Sequence, residues 1–142
     1  MEARQVVYEP INHTADIGFR IRGKSLEELF EGAAFALFDI LADLDKVQGK
    51  ITNRIRVEGF DPPELLVSWL NELLFRWETQ RILYKKFRIV KLNSSVLEAL
   101  AWGDPFEEGR HEIFTDIKAA TYHNLQIREK DGIYTAGIIL DI

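Results

Sequence analysis

The stretch Asn12-His13-Thr14-Ala15-Asp16-Ile17-Gly18-Phe19-Arg20-Ile21-Arg22-Gly23-Lys24-Ser25-Leu26-Glu27-Glu28 passes from a polar turn through a strand into the start of a helix. Ile17, Phe19 and Ile21 alternate with Gly18, Arg20 and Arg22, the period-two signal of a half-buried strand. Gly23 and Lys24 end it. Ser25 and Glu28 then stand at capping-box spacing: Ser25 can accept from the amide of Glu28, and Glu28 can reach back to the amide of Ser25. Leu26, Leu29, Phe30, Ala33, Ala34, Leu37, Phe38 and Leu41 recur at helical spacing, which predicts a helix from about Leu26 to about Ala42 with one apolar face. Glu27, Glu28 and Glu31 lie in its early turns, where the helix dipole favours acid.

Towards the start of the chain, Val6-Val7-Tyr8 reads as a short first strand ended by Glu9-Pro10, since proline removes a ladder donor. Towards its end, Asp43 to Lys50 is a connector, and Ile51 to Glu58 is the next strand. Asp61-Pro62-Pro63-Glu64 opens a second helix running to about Ile82, with Asp61 as cap and Pro62 at the first helical position. Trp69, Trp77 and the leucines between them make this helix apolar enough to lie mostly buried. Phe87 to Val90 and Val96 to Trp102 read as strands flanking an Asn93-Ser94 turn, and Gly103 to Gly109 as a loop. Two long strands, Ile117 to Glu129 and Ile133 to Asp141, meet at Asp131-Gly132, a strong two-residue hairpin signal. The order β-β-α-β-α-β-β-β-β predicts an α+β fold: two helices packed on a mainly antiparallel or mixed sheet in two layers, one domain over residues 1–142.

An apolar fraction of 46% and a charged fraction of 29% belong to an ordinary globular chain, not to a disordered or membrane-spanning one. The absence of cysteine excludes disulfides and thiolate metal sites. No basic-then-apolar signal segment opens the chain, so a cytoplasmic protein is expected. A net charge of −5 disfavours tight direct nucleic-acid binding and leaves room for a basic partner or a bound cation.

Asp16, with His13 and Thr14, is the first candidate for chemistry. Asp and Thr also commonly bond their own backbone at strand entries, so a simple turn is the competing reading. Asp141 interrupts the apolar run Ile138-Ile139-Leu140-Asp141-Ile142, which suggests a strand that holds the acid in place. If Asp16 and Asp141 meet, their carboxylates and that of Ile142 form an all-oxygen site suited to Ca²⁺ or Mg²⁺ rather than Zn²⁺. His13 is either a ligand or a hydrogen-bonding residue of the turn. Counting back along the hairpin from Lys130 opposite Ile133 places Leu125 opposite Ile138, His123 opposite Leu140 and Tyr122 opposite Asp141, with Lys118 further along the face of Tyr122. Lys118 is then an exposed strand lysine, or a cation that pairs with the acids or reaches a partner. His123 reads as structural. Arg20, Arg22, Arg54 and Arg56 read as a solvated sheet face or as cross-strand pairs. Nothing matches a phosphate-cradling glycine loop, a nucleophile triad or a paired-histidine helix.

The blocks His13-Thr14-Ala15-Asp16-Ile17-Gly18, Ser25 to Glu31 with Ala33-Ala34, Leu65-Leu66, Trp69-Leu70-Asn71-Glu72-Leu73-Leu74, Lys118-Ala119-Ala120-Thr121-Tyr122-His123 and Ile139-Leu140-Asp141-Ile142 resemble the archease family in content and order. One departure is visible: Asn12 stands where the family usually has an acid. The resemblance implies a two-layer archease-type fold and a non-enzymatic protein that activates an RtcB-type RNA ligase in tRNA splicing and RNA repair. Such proteins promote ligase guanylylation and multiple turnover, and broaden the nucleoside triphosphates the ligase accepts. It also implies a divalent metal site, Ca²⁺ first with Mg²⁺ or Mn²⁺ as alternatives, on Asp16, Asp141 and the carboxylate of Ile142. Lys118 and His13 would be the functional residues beside it. The alternative is a metal-dependent hydrolase using Asp16 and Asp141 as ligands and His13 or His123 as base. The acidic charge disfavours a chaperone-like RNA binder.

Overall fold

The computed structural model describes residues 6–11, 16–121 and 126–142. In chain order the elements are β1 (Tyr8–Ile11), β2 (Asp16–Gly23), α1 (Leu26–Leu41), β3 (Ile51–Glu58), α2 (Pro62–Gln80), β4 (Ile82–Leu92), β5 (Val96–Pro105), β6 (Ala119–Thr121), β7 (Ile127–Lys130) and β8 (Ile133–Asp141). Both helices begin where their caps predict. The Ser25 hydroxyl accepts from the amide of Glu28 at 3.0 Å, and the Asp61 carboxylate accepts from that of Glu64 at 2.9 Å. Glu64 itself reaches back to the amide of Phe60 at 3.2 Å. α2 stops at Gln80, short of Ile82, because Arg81 turns left-handed (φ 55°) and its amide closes on the carbonyl of Trp77. The Arg81 guanidinium lies 4.6 Å from the centre of the Trp77 ring, a cation–π contact that offsets part of the strain.

The α+β class holds, and every strand pairing named here is antiparallel. The strands divide between two sheets. One has the order β1-β2-β8-β6 with β7 also on β8, and the other β3-β5-β4. α1 packs on β2 and β8 of the first sheet and on β4 of the second; α2 packs on β6 and on β3, β4 and β5. The helices therefore join both sheets in one core. Trp69, Phe19, Phe30, Phe38 and Ile21 are fully buried there, each burial worth roughly 1.5–3 kcal/mol. The Trp69 indole donates to the carbonyl of Phe30 at 3.0 Å, which satisfies its one polar atom inside the core. Among the described residues no helix is long and apolar enough to cross a membrane.

Several element boundaries differ from the sequence expectation, each for a physical reason. The first strand is Tyr8–Ile11, not Val6 to Tyr8, and it contains Pro10; β1 is an edge strand, where a missing amide is tolerated. β4 extends far beyond Phe87 to Val90 by absorbing two register shifts, and Glu31 on α1 accepts from the amide of Ile89 at one of them, at 2.8 Å. β5 continues through Gly103 and Asp104, where a loop was expected. A Cβ at Gly103 would stand 2.1 Å from the carbonyl oxygen of Leu83, so only glycine lets these strands approach.

The predicted strand Ile117 to Glu129 is in fact two, β6 and β7, both on β8. The hairpin register is as predicted from Lys130↔Ile133 to Ile127↔Ala136, around a turn with φ 53° at Asp131 and 81° at Gly132. Pairing then resumes at Thr121↔Ile139 and reaches Ala119↔Asp141. Five residues separate Thr121 from Ile127, whereas two separate Ala136 from Ile139. The three-residue excess corrects the expected pairing of Tyr122 with Asp141: Ala119 stands there. Counting along a hairpin assumes an uninterrupted ladder, and this one is interrupted. Tyr122, His123 and Leu125 themselves lie outside the described residues.

Candidate functional site

Asp16 and Asp141 are direct partners across β2 and β8. The core fixes that register. Phe19, Ile21, Ile138 and Leu140 all point inward with at most 1% exposure, so the alternate residues share the outer face. A one-residue slip of β8 would drive Asp141 towards the core and Leu140 into water. Directly opposed residues carry their side chains on one face with Cβ atoms about 4.5–5.5 Å apart, and two like charges so placed repel. Asp141 is exposed and Asp16 half-buried.

The third wall is β6. The amide of Lys118 donates to the carbonyl of Asp141 at 2.8 Å, and Ala119 pairs with Asp141 on the side away from Asp16. Lys118 is thus tied to the acid pair through its backbone, while its side chain is exposed. Three paired residues would hold β6 poorly, and α2 supplies the remedy. The Asn71 amide group donates to the carbonyl of Ala120 at 3.0 Å and accepts from its N–H at 2.7 Å. It serves the edge of β6 as a neighbouring strand would. Sequence reasoning noticed Asn71 only as part of a motif on an otherwise apolar helix. Its position between Leu70 and Glu72 carried the signal: a polar group on a buried segment needs a partner.

The structure therefore brings Asp16, Asp141, Ile142 and Lys118 to one end of the five-stranded sheet. His13 and Thr14 lie outside the described residues. Among the described residues no group of three or more His, Cys, Asp and Glu side chains is placed to hold a metal ion. What the described residues offer is an opposed pair of side-chain carboxylates, oxygen donors of the type that suits a hard cation retaining several waters.

A second acid has the opposite character. Asp104 is 2% exposed and accepts from the backbone amides of Gln48 at 2.7 Å, Gly49 at 2.9 Å and Lys50 at 2.9 Å. The Nε2 atom of His111 lies 3.5 Å from its Oδ2, too long for a strong bond, while Nδ1 of that ring accepts from the amide of Glu107 at 2.9 Å. Burial pushes the Asp104 carboxyl up, but the three amides and His111 reverse this and hold it below its ordinary value. Its lone pairs are committed to the 48–50 loop, which makes it a structural acid. The arginine pairs also appear: Arg54 meets Glu98 at 3.4 Å across β3 and β5, and Arg20 stands 3.9 Å from Glu9.

Residues 8–142 match the model of the Archease protein family. Protein archease of Sulfurisphaera tokodaii is 37% identical over 136 residues, covering 95% of this chain and 98% of that protein. The solution structure of protein 1598 of Methanobacterium thermoautotrophicum is similar at a TM-score of 0.81 and 38% identity, covering 95% of this chain and 98% of the other. A Thermotoga maritima archease, described as a possible chaperone, shares the fold at a TM-score of 0.61 and 23% identity over 100% of this chain and 99% of its own.

Proposed function

The chain belongs to the archease family, and on that premise we propose that it is a non-enzymatic activator of an RtcB-type RNA ligase in tRNA splicing and RNA repair. It would promote guanylylation of the ligase and multiple turnover through a divalent-metal site on Asp16, Asp141 and the carboxylate of Ile142. The observation that carries this reading is the direct opposition of Asp16 and Asp141, residues 125 positions apart in sequence, on the outer face of the sheet. Two carboxylates paired across a ladder on one sheet face are donors that a hard cation takes. A divalent ion held there would present positive charge to phosphate oxygens. The chain's own residues set the geometry. The β2–β8 ladder fixes the acids, the Lys118 amide fixes the carbonyl of Asp141, and the Lys118 side chain is exposed.

The test is a guanylylation assay of the matching ligase with and without this protein, across Ca²⁺, Mg²⁺ and Mn²⁺. Wild type should accelerate guanylylation and sustain turnover, while Asp16→Ala and Asp141→Ala, shown to be folded by circular dichroism, should not. Full activation by both folded variants would refute the reading. Turnover of a phosphoester panel by the protein alone, lost in Asp16→Ala, would replace it with the hydrolase.

A further inference from the structure

The outer face of the five-stranded sheet carries a second feature, a hollow of about 280 Å³ lined by Arg20, Gln126, Arg128, Thr135, Ala136 and Gly137. The register explains it. Arg20 on β2 is paired with Gly137 on β8, and Thr135 on β8 with Arg128 on β7. Gly137 has no side chain to fill the space between the two arginines, so backbone forms the floor. Its φ is not positive, so the turn-forming freedom of glycine does not account for it. A glycine inside a strand costs stability and leaves the backbone open to close approach by another group.

Among the described residues the lining is cationic or neutral, in a chain of net charge −5. The Gln126 side-chain oxygen accepts from Nε and Nη2 of Arg128 at 3.2 and 2.8 Å, which sets the plane of the guanidinium and leaves its other N–H groups for a ligand. Among the described residues Arg128 has no carboxylate within ion-pair distance. Among the described residues Arg20 meets Glu9 at 3.9 Å, with both side chains more than half exposed, a pairing weak enough for a ligand to displace. Two guanidinium forks, a threonine hydroxyl and a bare backbone floor together form a receptor for a tetrahedral oxyanion.

We propose that this hollow binds a compact polyphosphate, free or as the phosphate chain of a nucleotide. A single bounded hollow suits a compact polyphosphate better than a nucleic-acid strand, which needs a run of cations along its path and is opposed by the overall acidic charge. Arg20 lies four residues along β2 from Asp16, roughly 13 Å, on the same face as the acid pair. The proposal rests on the hollow alone and holds whether or not the acids take a metal.

The test is calorimetric titration of the whole protein with inorganic pyrophosphate, adenosine triphosphate and a single-stranded RNA oligomer lacking a terminal phosphate. EDTA is present, so that no ion at Asp16 and Asp141 contributes. Pyrophosphate and the triphosphate should each saturate one site. Arg128→Gln and Gly137→Val should weaken both by about tenfold or more, whereas Asp141→Asn should leave them unchanged. Urea midpoints establish that each variant is folded, and Arg20→Gln replaces Gly137→Val should the valine unfold the sheet. Absence of saturable binding, or wild-type affinity in the folded arginine variants, overturns the proposal. Tighter binding of the RNA oligomer than of pyrophosphate, lost in Arg128→Gln, overturns it in favour of a nucleic-acid surface.

Discussion

Asp104 and Asp141 both sit near the end of a strand that is otherwise largely apolar, yet their surroundings are opposite. Asp104 is sealed from water and takes three backbone amides, so its charge is consumed in holding the 48–50 loop. Asp141 is exposed and faces another carboxylate across the ladder. A folded protein places a charge in the first way when the charge serves the fold. The second arrangement sets two like charges on one face of a sheet and leaves Asp141 open to water, where a partner can reach it.

The contrast is open to attack by substitution. Asp104→Ala leaves three buried amides without their acceptor and should lower stability by about 3 kcal/mol, read from urea unfolding. The pH dependence follows from the lowered carboxyl. The advantage of wild type over Asp104→Asn should be fully present above the unfolded value of about 4 and disappear as pH falls through the folded one. A stability difference that grew with acid would break the assignment. Asn71→Ala, which unties β6, should cost about 1–2 kcal/mol. Hydrogen exchange should quicken at Ala119 to Thr121 before the rest of the sheet is affected. The smallest effect belongs to the exposed acid: Asp141→Asn should raise stability slightly, by roughly 0.2–1 kcal/mol, while the proposed activation of a ligase falls. Marked destabilisation there would make Asp141 a second structural acid.

The sequence exposed one of these acids better than the other. Asp141 was visible because an acid inside Ile138 to Ile142 contradicts its neighbours, and Asp16 because it opens an alternating strand. Both helix starts were legible for a similar reason: cap residues act on amides three positions away, within reach of local reading. Asp104 was hidden because Gly103-Asp104-Pro105 has the composition of a loop. Its strand character comes from the close approach of Leu83, a tertiary fact that overrides local preference. The division into two sheets and the three-residue excess between β6 and β7 were hidden too, since both depend on pairings between distant segments. The outer-face hollow escaped notice because Arg20 and Gly137 are far apart in sequence and look ordinary until the register places them opposite each other.

The place of β8 also bears on how the protein is made. β2 and α1 leave the ribosome early, but the inner edge of β2 has no partner until residues 133–141 follow. Until then the nascent chain exposes an unpaired strand edge along with Phe19 and Ile21, a state open to wrong pairings. The last strand then closes three pairings at once, with β2, β6 and β7. Asp16 acquires its opposite carboxylate in that same step, so the acid pair is also a mark of closure: only a chain made through β8, and closed upon it, can display both acids together.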